Sequence, residues 1–407
     1  MRILPAGQGA EIGLDPKPPA GFAAAMAQHF TALEFADRQA SARAALQASG
    51  LDALLMFAPE SHYWICGYDT FGFAMFQCMV LTARGDLHLL TRTPDLRQAQ
   101  LTSTLTDAEI HIWQEVQGAD PASDLARLLA DLGVSGKIGY EGDTVGLTDR
   151  NGRMLHRVLP GLIEASEVIR ALRRVKSPAE IAMHRRAAAL SDDALDQAIA
   201  LARPGAFEGD ILAAMQGAVF KGGGDYAGNE FIIGSGPGAL LCRYFSGRRH
   251  LDARDQLTLE WSGAYARYHA AMMRTVLVGG ASDHHRRLHA AAVEALEACE
   301  AAIRPGRPMG DVYEAHARVF DAHGLSHARL RACGYGMGAV FNPIWVDFPM
   351  FYQGNPLIMQ QGQVFFLHMI LMDSDAGQAM TLGHSVLVGA LGIERLSRHG
   401  LDLILNA

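Results

Sequence analysis

The sequence predicts a mixed α/β (α+β) protein with two domains, and three observations support this fold class. Short apolar stretches alternate with helical stretches over the first 166 residues, which is typical of an α/β domain. A strong helix start follows at Ser177. After it, a pattern of two helices and several strands occurs twice. The 407 residues suffice for two or three domains, and we place the boundary between residues 166 and 167.

The N-terminal domain is expected to open with an irregular arm at residues 1–30, because Pro16, Pro18 and Pro19 discourage regular structure. An alanine- and charge-rich stretch then predicts a helix that stops near Gly50. Apolar and β-branched runs predict the strands that follow. In chain order, the expected elements are a helix at 35–49, strands at 51–57, 77–82 and 86–90, a helix at 121–132 and a strand at 137–140.

The second domain is expected to begin with a long, well-capped helix. Ser177 can accept a hydrogen bond from the helix N-terminus, Pro178 suits the first helical position, and Glu180 stands three residues after the cap. The proline and glycine at positions 204 and 205 end this helix. The paired helices are expected at 179–202 with 208–220 and at 284–302 with 310–323, each pair followed by strands.

The composition narrows the possible partners and the compartment. Apolar residues make up 49% of the chain and charged residues 19%, which allows a large core. The net charge of -8 argues against nucleic acid or an anionic membrane as the main partner, and no apolar stretch is long enough to span a bilayer. Five dispersed cysteines predict reduced thiols, so we expect a cytoplasmic protein.

Four segments of the C-terminal half contain the candidate chemistry. In order, they are Ile233-Gly234-Ser235-Gly236-Pro237 through Arg243, Leu259 through Thr275 with Glu260 and Arg274, Gly334-Tyr335-Gly336-Met337-Gly338, and Gly362 through His368 with Leu382-Gly383-His384. Together they resemble the creatinase/prolidase (peptidase M24, pita-bread) family over about residues 35–397. The resemblance implies a creatinase-like N-terminal α/β domain, a pita-bread catalytic domain with pseudo-twofold symmetry, and a homodimer.

The metal-binding positions of the resembling family are mostly lost in this chain. The family's metallopeptidases hold two divalent cations with two Asp, one His and two Glu. The residues that stand in register are Glu260, Ala271, Tyr335, His368 and Gly383. Of these, Glu260 and His368 offer suitable ligand atoms, fewer than the three or four that a catalytic metal needs. We therefore predict no dinuclear metal and no cofactor, with His269 or His384 as the residues that could complete a single-metal site.

The resemblance is strongest to the metal-free branch of the family, which includes creatinase and ectoine hydrolase. Residues 267–269 (Arg-Tyr-His) and 67–69 (Gly-Tyr-Asp) are closer in motif to ectoine hydrolase. Two departures from this branch stand out. Arg243 occupies the place of creatinase's catalytic His, and His368 and Gly383 occupy the places where a second Glu is kept.

The predicted chemistry is hydrolysis at an amidine or amide carbon, which needs an attacking group and a proton for the leaving nitrogen. Glu260, on a predicted buried strand, is the candidate nucleophile or base, because burial raises a carboxyl pKa. His368 is the candidate acid–base partner, and Arg243 suits a substrate carboxylate. Further catalytic candidates are His269, His384 and Tyr335. By resemblance, a loop that reaches the partner subunit's pocket supplies substrate contacts from Tyr68, Asp69, Phe71, Phe73 and Gln77.

Several of these residues also have a structural interpretation. Glu260 could hold the sheet together by pairing with Arg243 or Arg274, His368 could be a core histidine, and the aromatic loop could be a core or dimer contact. The function predicted from the sequence is a metal-independent hydrolase of a non-peptide C–N bond in a small zwitterionic or carboxylated molecule. The alternatives are a metallopeptidase of the Xaa-Pro type and a catalytically inactive binding or scaffold protein.

Overall fold

A computed structural model describes residues 28–243 and 247–406 of the chain. The predicted arm at residues 1–30 lies almost wholly outside the described residues. The described part forms two α/β units, which confirms the predicted fold class. Among the described residues, no helix combines the length and the apolar character that crossing a bilayer requires.

The first unit is built around a six-stranded sheet with strand order β4-β3-β2-β1-β5-β6. Its elements are α1 (Ala32–Ala48), β1 (Ala53–Met56), α2 (Pro59–Cys66), β2 (Cys78–Thr82), β3 (Leu87–Thr91), α3 (Thr93–Thr102), β4 (Ile110–Ile112), α4 (Pro121–Asp131), β5 (Ile138–Tyr140), α5 (Asp149–Val158) and β6 (Ile163–Glu164). The central strand β1 is buried on both faces, since Leu54 and Met56 join one core cluster and Ala53 and Leu55 the other. The predicted elements of this unit are present within a few residues of their expected bounds.

The second unit contains a nine-stranded sheet. Its elements are α6 (Glu167–Arg174), α7 (Pro178–Leu201), α8 (Glu208–Lys221), β7 (Ile232–Ser235), β8 (Asp255–Tyr265), β9 (Tyr268–Val278), α9 (Asp283–Ala302), α10 (Gly310–Ala322), β10 (Ala332–Gly336), β11 (Met350–Tyr352), β12 (Val364–Asp373), β13 (Gln378–Val388), β14 (Ile393–Arg395) and β15 (Ile404–Asn406). The main strand order is β11-β10-β12-β13-β9-β8-β7. The two helix pairs, each followed by strands, match the predicted repeat.

The start of α7 has the predicted cap. The Ser177 side chain accepts a hydrogen bond from the Glu180 backbone N–H at 3.2 Å, and the Glu180 carboxylate accepts one from the Ser177 backbone N–H at 2.9 Å. These two bonds satisfy backbone donors that a helix N-terminus otherwise leaves free. The boundary at residues 166 and 167 stays a prediction; α6 begins there.

The helices of the second unit cover one face of its sheet. Leu259 and Trp261 of β8 share a core cluster with residues of α7 and α8, and the Trp261 indole N–H donates to the Ser191 carbonyl of α7 at 3.0 Å. Phe365 and Leu367 of β12 likewise share a cluster with α9 and α10. Successive side chains of a strand point to opposite faces. The residues between these apolar side chains therefore point to the face of the sheet away from the helices.

Candidate active site

A row of four residues crosses the sheet on the face away from the helices. Glu260 pairs with Met273, Met273 with Gly383, and Gly383 with His368. Paired residues on neighbouring strands present their side chains to the same face. The fold thus places Glu260 and His368 on a common surface, three strand spacings or about 14 Å apart at the backbone.

Gly383 has a packing reason to be glycine. A Cβ at this position would lie 2.4 Å from the Leu367 carbonyl oxygen, much closer than a carbon atom tolerates. The place where the resembling family has a ligating Glu is therefore closed to any larger side chain without a backbone shift.

Tyr335 connects Glu260 with His368. Its hydroxyl lies 3.4 Å from Glu260 Oε1, and its ring centroid lies 5.6 Å from that of His368. On the other side, the Trp345 indole N–H donates to the Tyr335 hydroxyl at 2.8 Å. Trp345 was not among the residues predicted from the sequence, because it lies in an irregular segment with no motif or periodicity to mark it.

Burial sets the protonation of the two central groups. Glu260 is 6% exposed, and burial raises the pKa of its carboxyl to about 7, against the smaller opposing effects of the Arg243 charge and the Tyr335 hydrogen bond. Burial, together with the smaller effect of the Arg243 charge, lowers the pKa of His368 to about 4. At neutral pH the site therefore holds a carboxyl near its titration midpoint and a neutral imidazole, with Tyr335 between them.

Arg243 is the cation that acts on this cluster. Its side chain is exposed, yet its charge influences the pKa values of Glu260, Tyr335 and His368. Arg274, the other arginine considered as a partner for Glu260, is buried and donates to the backbone carbonyls of Met273 at 2.8 Å and Gly383 at 2.6 Å. Arg274 therefore stabilises the sheet, and Arg243 is the arginine whose charge acts on the site.

His384, predicted as a catalytic residue, lies outside the cluster of Glu260, Tyr335 and His368. It follows Gly383 in β13, so its side chain points to the opposite face of the sheet. There its Nε2 lies 2.7 Å from Glu300 Oε1 of α9, and the same oxygen accepts from Arg395 Nε at 2.8 Å. The His384 ring thus joins a hydrogen-bonded network with Glu300 and Arg395 that ties α9 to the sheet.

His269, also predicted as a catalytic residue, is held away from the cluster. It lies in β9 four residues before Met273, or about 13 Å along the strand. The Nδ1 atom of His269 lies 2.8 Å from the Arg267 carbonyl oxygen, which can only accept, so Nδ1 carries the ring proton. The other ring nitrogen, Nε2, accepts a hydrogen bond from the Gly228 N–H at 2.8 Å. Both ring nitrogens are engaged by backbone, and neither is free for proton transfer or metal binding.

The predicted substrate-binding loop is divided between the core and the surface. Tyr68 and Gln77 are each 1% exposed and lie inside the N-terminal unit. Phe71 is 83% exposed and is the residue of this loop most open to a partner subunit.

Two other residues of the loop join the N-terminal unit to the second unit. Asp69 forms an ion pair with Arg267, at the turn between β8 and β9, with a separation of 2.8 Å. The Phe73 ring packs against Phe341 with centroids 5.9 Å apart. In the single chain, these contacts belong to the interface between the units rather than to the cluster of Glu260, Tyr335 and His368.

The side chains of the cluster do not fit a dinuclear metal centre. Ala271 and Gly383 offer no ligand atom, and the displaced His269 and His384 cannot supply a third or fourth one. Among residues 28–243 and 247–406, no three His, Cys, Asp or Glu side chains come together in a way suited to a metal ion. Glu260 and His368 are the two ligand-bearing side chains at the family's positions.

Comparison with known proteins gives matches along most of the chain. The profile of Metallopeptidase family M24 matches residues 182–390, and that of the Creatinase/Prolidase N-terminal domain matches residues 38–175. The chain is 26% identical to the Uncharacterized hydrolase/peptidase y4tM of Sinorhizobium fredii, over 93% of this chain and 99% of that protein. It is also 26% identical to the Ectoine hydrolase of Halomonas elongata, over 90% and 96%. The crystal structure of Dipeptidase PepE from Mycobacterium ulcerans superposes with a TM-score of 0.81 at 24% identity, covering 92% of this chain and 99% of PepE.

Proposed function

Because the chain belongs to Metallopeptidase family M24 and is a hydrolase of that family, we propose that it cleaves a non-peptide C–N bond without a dinuclear metal. The substrate is a small zwitterionic or carboxylated amidine or amide. The observation that supports this most directly is the cluster of Glu260, Tyr335 and His368, in which an ionisable carboxyl replaces the family's metal ligand set. The ectoine hydrolase relative supports a C–N bond of this kind.

Glu260 acts as the general base. A carboxyl whose pKa is about 7 is half ionised at neutral pH, and such a group is well matched to accepting a proton and giving it back. It takes one proton from water as the water oxygen bonds to the amidine or amide carbon. It then returns that proton to the leaving nitrogen as the C–N bond breaks, so one water is consumed and the carboxylate is regenerated.

His368 and Tyr335 orient the reacting groups. His368 is neutral at pH 7 and can accept a hydrogen bond from a substrate N–H or from the attacking water. Burial raises the pKa of Tyr335 well above its usual value, so the phenol keeps its proton and can donate to an oxygen. Arg243, exposed at the edge of the cluster, binds a substrate carboxylate through two parallel hydrogen bonds.

The main competing function is a metallopeptidase, which the description of the matching family favours. It requires at least three protein ligands for a catalytic metal, and the cluster supplies Glu260 and His368. A scaffold protein without activity is the third candidate, and it gives no reason to keep an ionisable carboxyl beside a neutral imidazole in a buried site.

A substrate panel separates these functions. The purified chain is assayed against cyclic amidines, guanidino acids, small amides and Xaa-Pro dipeptides, with Glu260→Gln as the test variant and the exposed Glu230→Gln as the matched control. We expect turnover of an amidine or amide that Glu260→Gln abolishes and Glu230→Gln preserves. Turnover of dipeptides alone, or of no compound in the panel, would contradict the proposal.

We further propose a cytoplasmic homodimer in which the loop containing Phe71 reaches the partner subunit's site. The 83% exposure of a large apolar side chain at the tip of this loop supports an intersubunit contact. Phe71→Asp should convert the dimer to a monomer in light scattering, whereas substitution of the equally exposed Leu391, 90% exposed, should leave the mass unchanged. A wild-type chain that is monomeric at micromolar concentration would refute the dimer.

A further inference from the structure

Trp345 is a buried residue at the edge of the site for which the proposed chemistry gives no direct role. It is 1% exposed, and its indole N–H donates to the Tyr335 hydroxyl at 2.8 Å. The hydroxyl of Tyr335 in turn lies 3.4 Å from Glu260 Oε1. Trp345, Tyr335 and Glu260 therefore form a chain of hydrogen bonds that ends on the carboxyl.

The donor in each bond of this chain is fixed by chemistry. An indole N–H can only donate, so the Tyr335 oxygen must accept from Trp345. The single proton of the phenol is then available to Glu260. Without the indole, the hydroxyl could rotate and offer its proton elsewhere. We infer that Trp345 is a positioning residue, which aims the Tyr335 hydroxyl at the Glu260 carboxyl and so stabilises the ionised base.

Trp345 is itself held by bonds outside the site. Its backbone N–H donates to Asn229 Oδ1 at 3.2 Å. Two residues further on, Asp347 forms an ion pair with Arg173 at 2.9 Å and lies 3.8 Å from Lys176 Nζ. These anchors come from the segment before β7 and from the region of α6. The backbone that carries the indole is thereby anchored independently of Tyr335.

The expected consequence has a definite sign. Besides burial, the groups that act on the pKa of Glu260 are Arg243, through its charge, and Tyr335, through its hydrogen bond. A hydrogen bond to the ionised form of a carboxyl lowers its pKa, so losing that bond raises the pKa. In Trp345→Phe the acidic limb of the pH–rate profile should therefore move to higher pH, because the base must be ionised to act.

The test measures the Glu260 carboxyl directly, by NMR titration of the full chain labelled with 13C at the glutamate side-chain carboxyl. Trp345→Phe should raise the pKa of Glu260 by roughly 0.5 or more. The matched control is Trp261→Phe, which removes another buried indole N–H, bonded to Ser191 on the opposite face, and should leave that pKa unchanged. An unchanged Glu260 pKa in folded Trp345→Phe would overturn the inference.

A double variant tests whether Trp345 acts through Tyr335. Tyr335→Phe should raise the Glu260 pKa, and Trp345→Phe added to it should have no further effect, since the hydroxyl it orients is gone. An additional shift would overturn the inference. Should Trp345→Phe fail to fold, the exchange of the Trp345 indole proton with solvent can be measured in Tyr335→Phe instead. This proton should exchange faster than in the wild type. An unchanged exchange rate would refute the hydrogen bond between Trp345 and Tyr335.

This inference rests on the proposed function only in assigning Glu260 as the reacting base. The NMR titration needs no substrate and no turnover. A protein that hydrolyses nothing would refute the proposed function and leave the positioning role of Trp345 measurable. An active protein whose Glu260 pKa is the same in Trp345→Phe as in the wild type would refute only the positioning role of Trp345.

Discussion

Glu260→Gln should make the protein more stable at alkaline pH, because a buried ionisable base lowers the stability of the fold. Burial raises the pKa of Glu260 from an ordinary 4.5 to about 7. Below pH 4.5 both the folded and unfolded chains hold the proton. Between pH 4.5 and 7 the unfolded chain releases it first, so rising pH favours unfolding. Above pH 7 the full cost is present.

The size of the effect follows from the two pKa values. Their difference corresponds to about 3 kcal/mol of unfolding free energy above pH 7. Glutamine has nearly the same shape and no charge, so Glu260→Gln should recover most of this amount. The gain should be small at pH 5 and should reach its plateau near pH 8.

The assay is chemical unfolding of wild type, Glu260→Gln and the exposed control Glu230→Gln at pH 5 and pH 8. The expected result is a higher unfolding midpoint for Glu260→Gln at pH 8 and nearly equal midpoints for all three proteins at pH 5. Equal stability of Glu260→Gln and wild type at both pH values would show that the carboxyl does not carry a raised pKa, and the reasoning on its role as base would fail with it.

Two further predictions concern the arginine and the histidines. Arg243→Ala should weaken the binding of carboxylated ligands by about 10- to 100-fold in calorimetric titration, because a charge-assisted pair of hydrogen bonds is lost. The affinity for neutral analogues should not change. An equal loss of affinity for both kinds of ligand would contradict the role of Arg243 in binding a carboxylate. His384→Ala should lower stability by roughly 1.5–3 kcal/mol while the folded fraction keeps its kcat, because the buried Glu300 carboxylate loses a hydrogen-bond donor. His368→Ala should lower kcat and leave the stability nearly unchanged. A His384→Ala protein that is stable but inactive would contradict these separate roles of the two histidines.

The sequence predicted the elements of the fold well because their signals are local. The cap formed by Ser177 and Glu180 determines where α7 begins, and that cap depends on four consecutive residues. Strand β8 could be recognised from its apolar run, and the resemblance placed Glu260 on it. The pairing of β8, β9, β13 and β12 then brought Glu260 and His368 into one row.

The positions of His269 and His384 depend on contacts far along the chain, which the sequence alone does not reveal. His269 is satisfied by the Gly228 N–H, 41 residues away, and His384 by Glu300, 84 residues away. Successive residues of a strand point to opposite faces of the sheet. His384 therefore points away from the site, although its neighbour Gly383 lies in the row with Glu260 and His368. Trp345 could not be found because an irregular segment has no periodicity from which to infer its orientation.

The central claim is that this chain hydrolyses a C–N bond with a buried carboxyl in place of a metal pair. The most direct test is the metal content of the purified protein by mass spectrometry, after dialysis without chelator, with activity followed in the same samples. The account predicts far less than one transition-metal ion per chain, and turnover of an amidine or amide that a chelator does not reduce. One or two bound ions per chain, with activity that rises and falls with them, would contradict it.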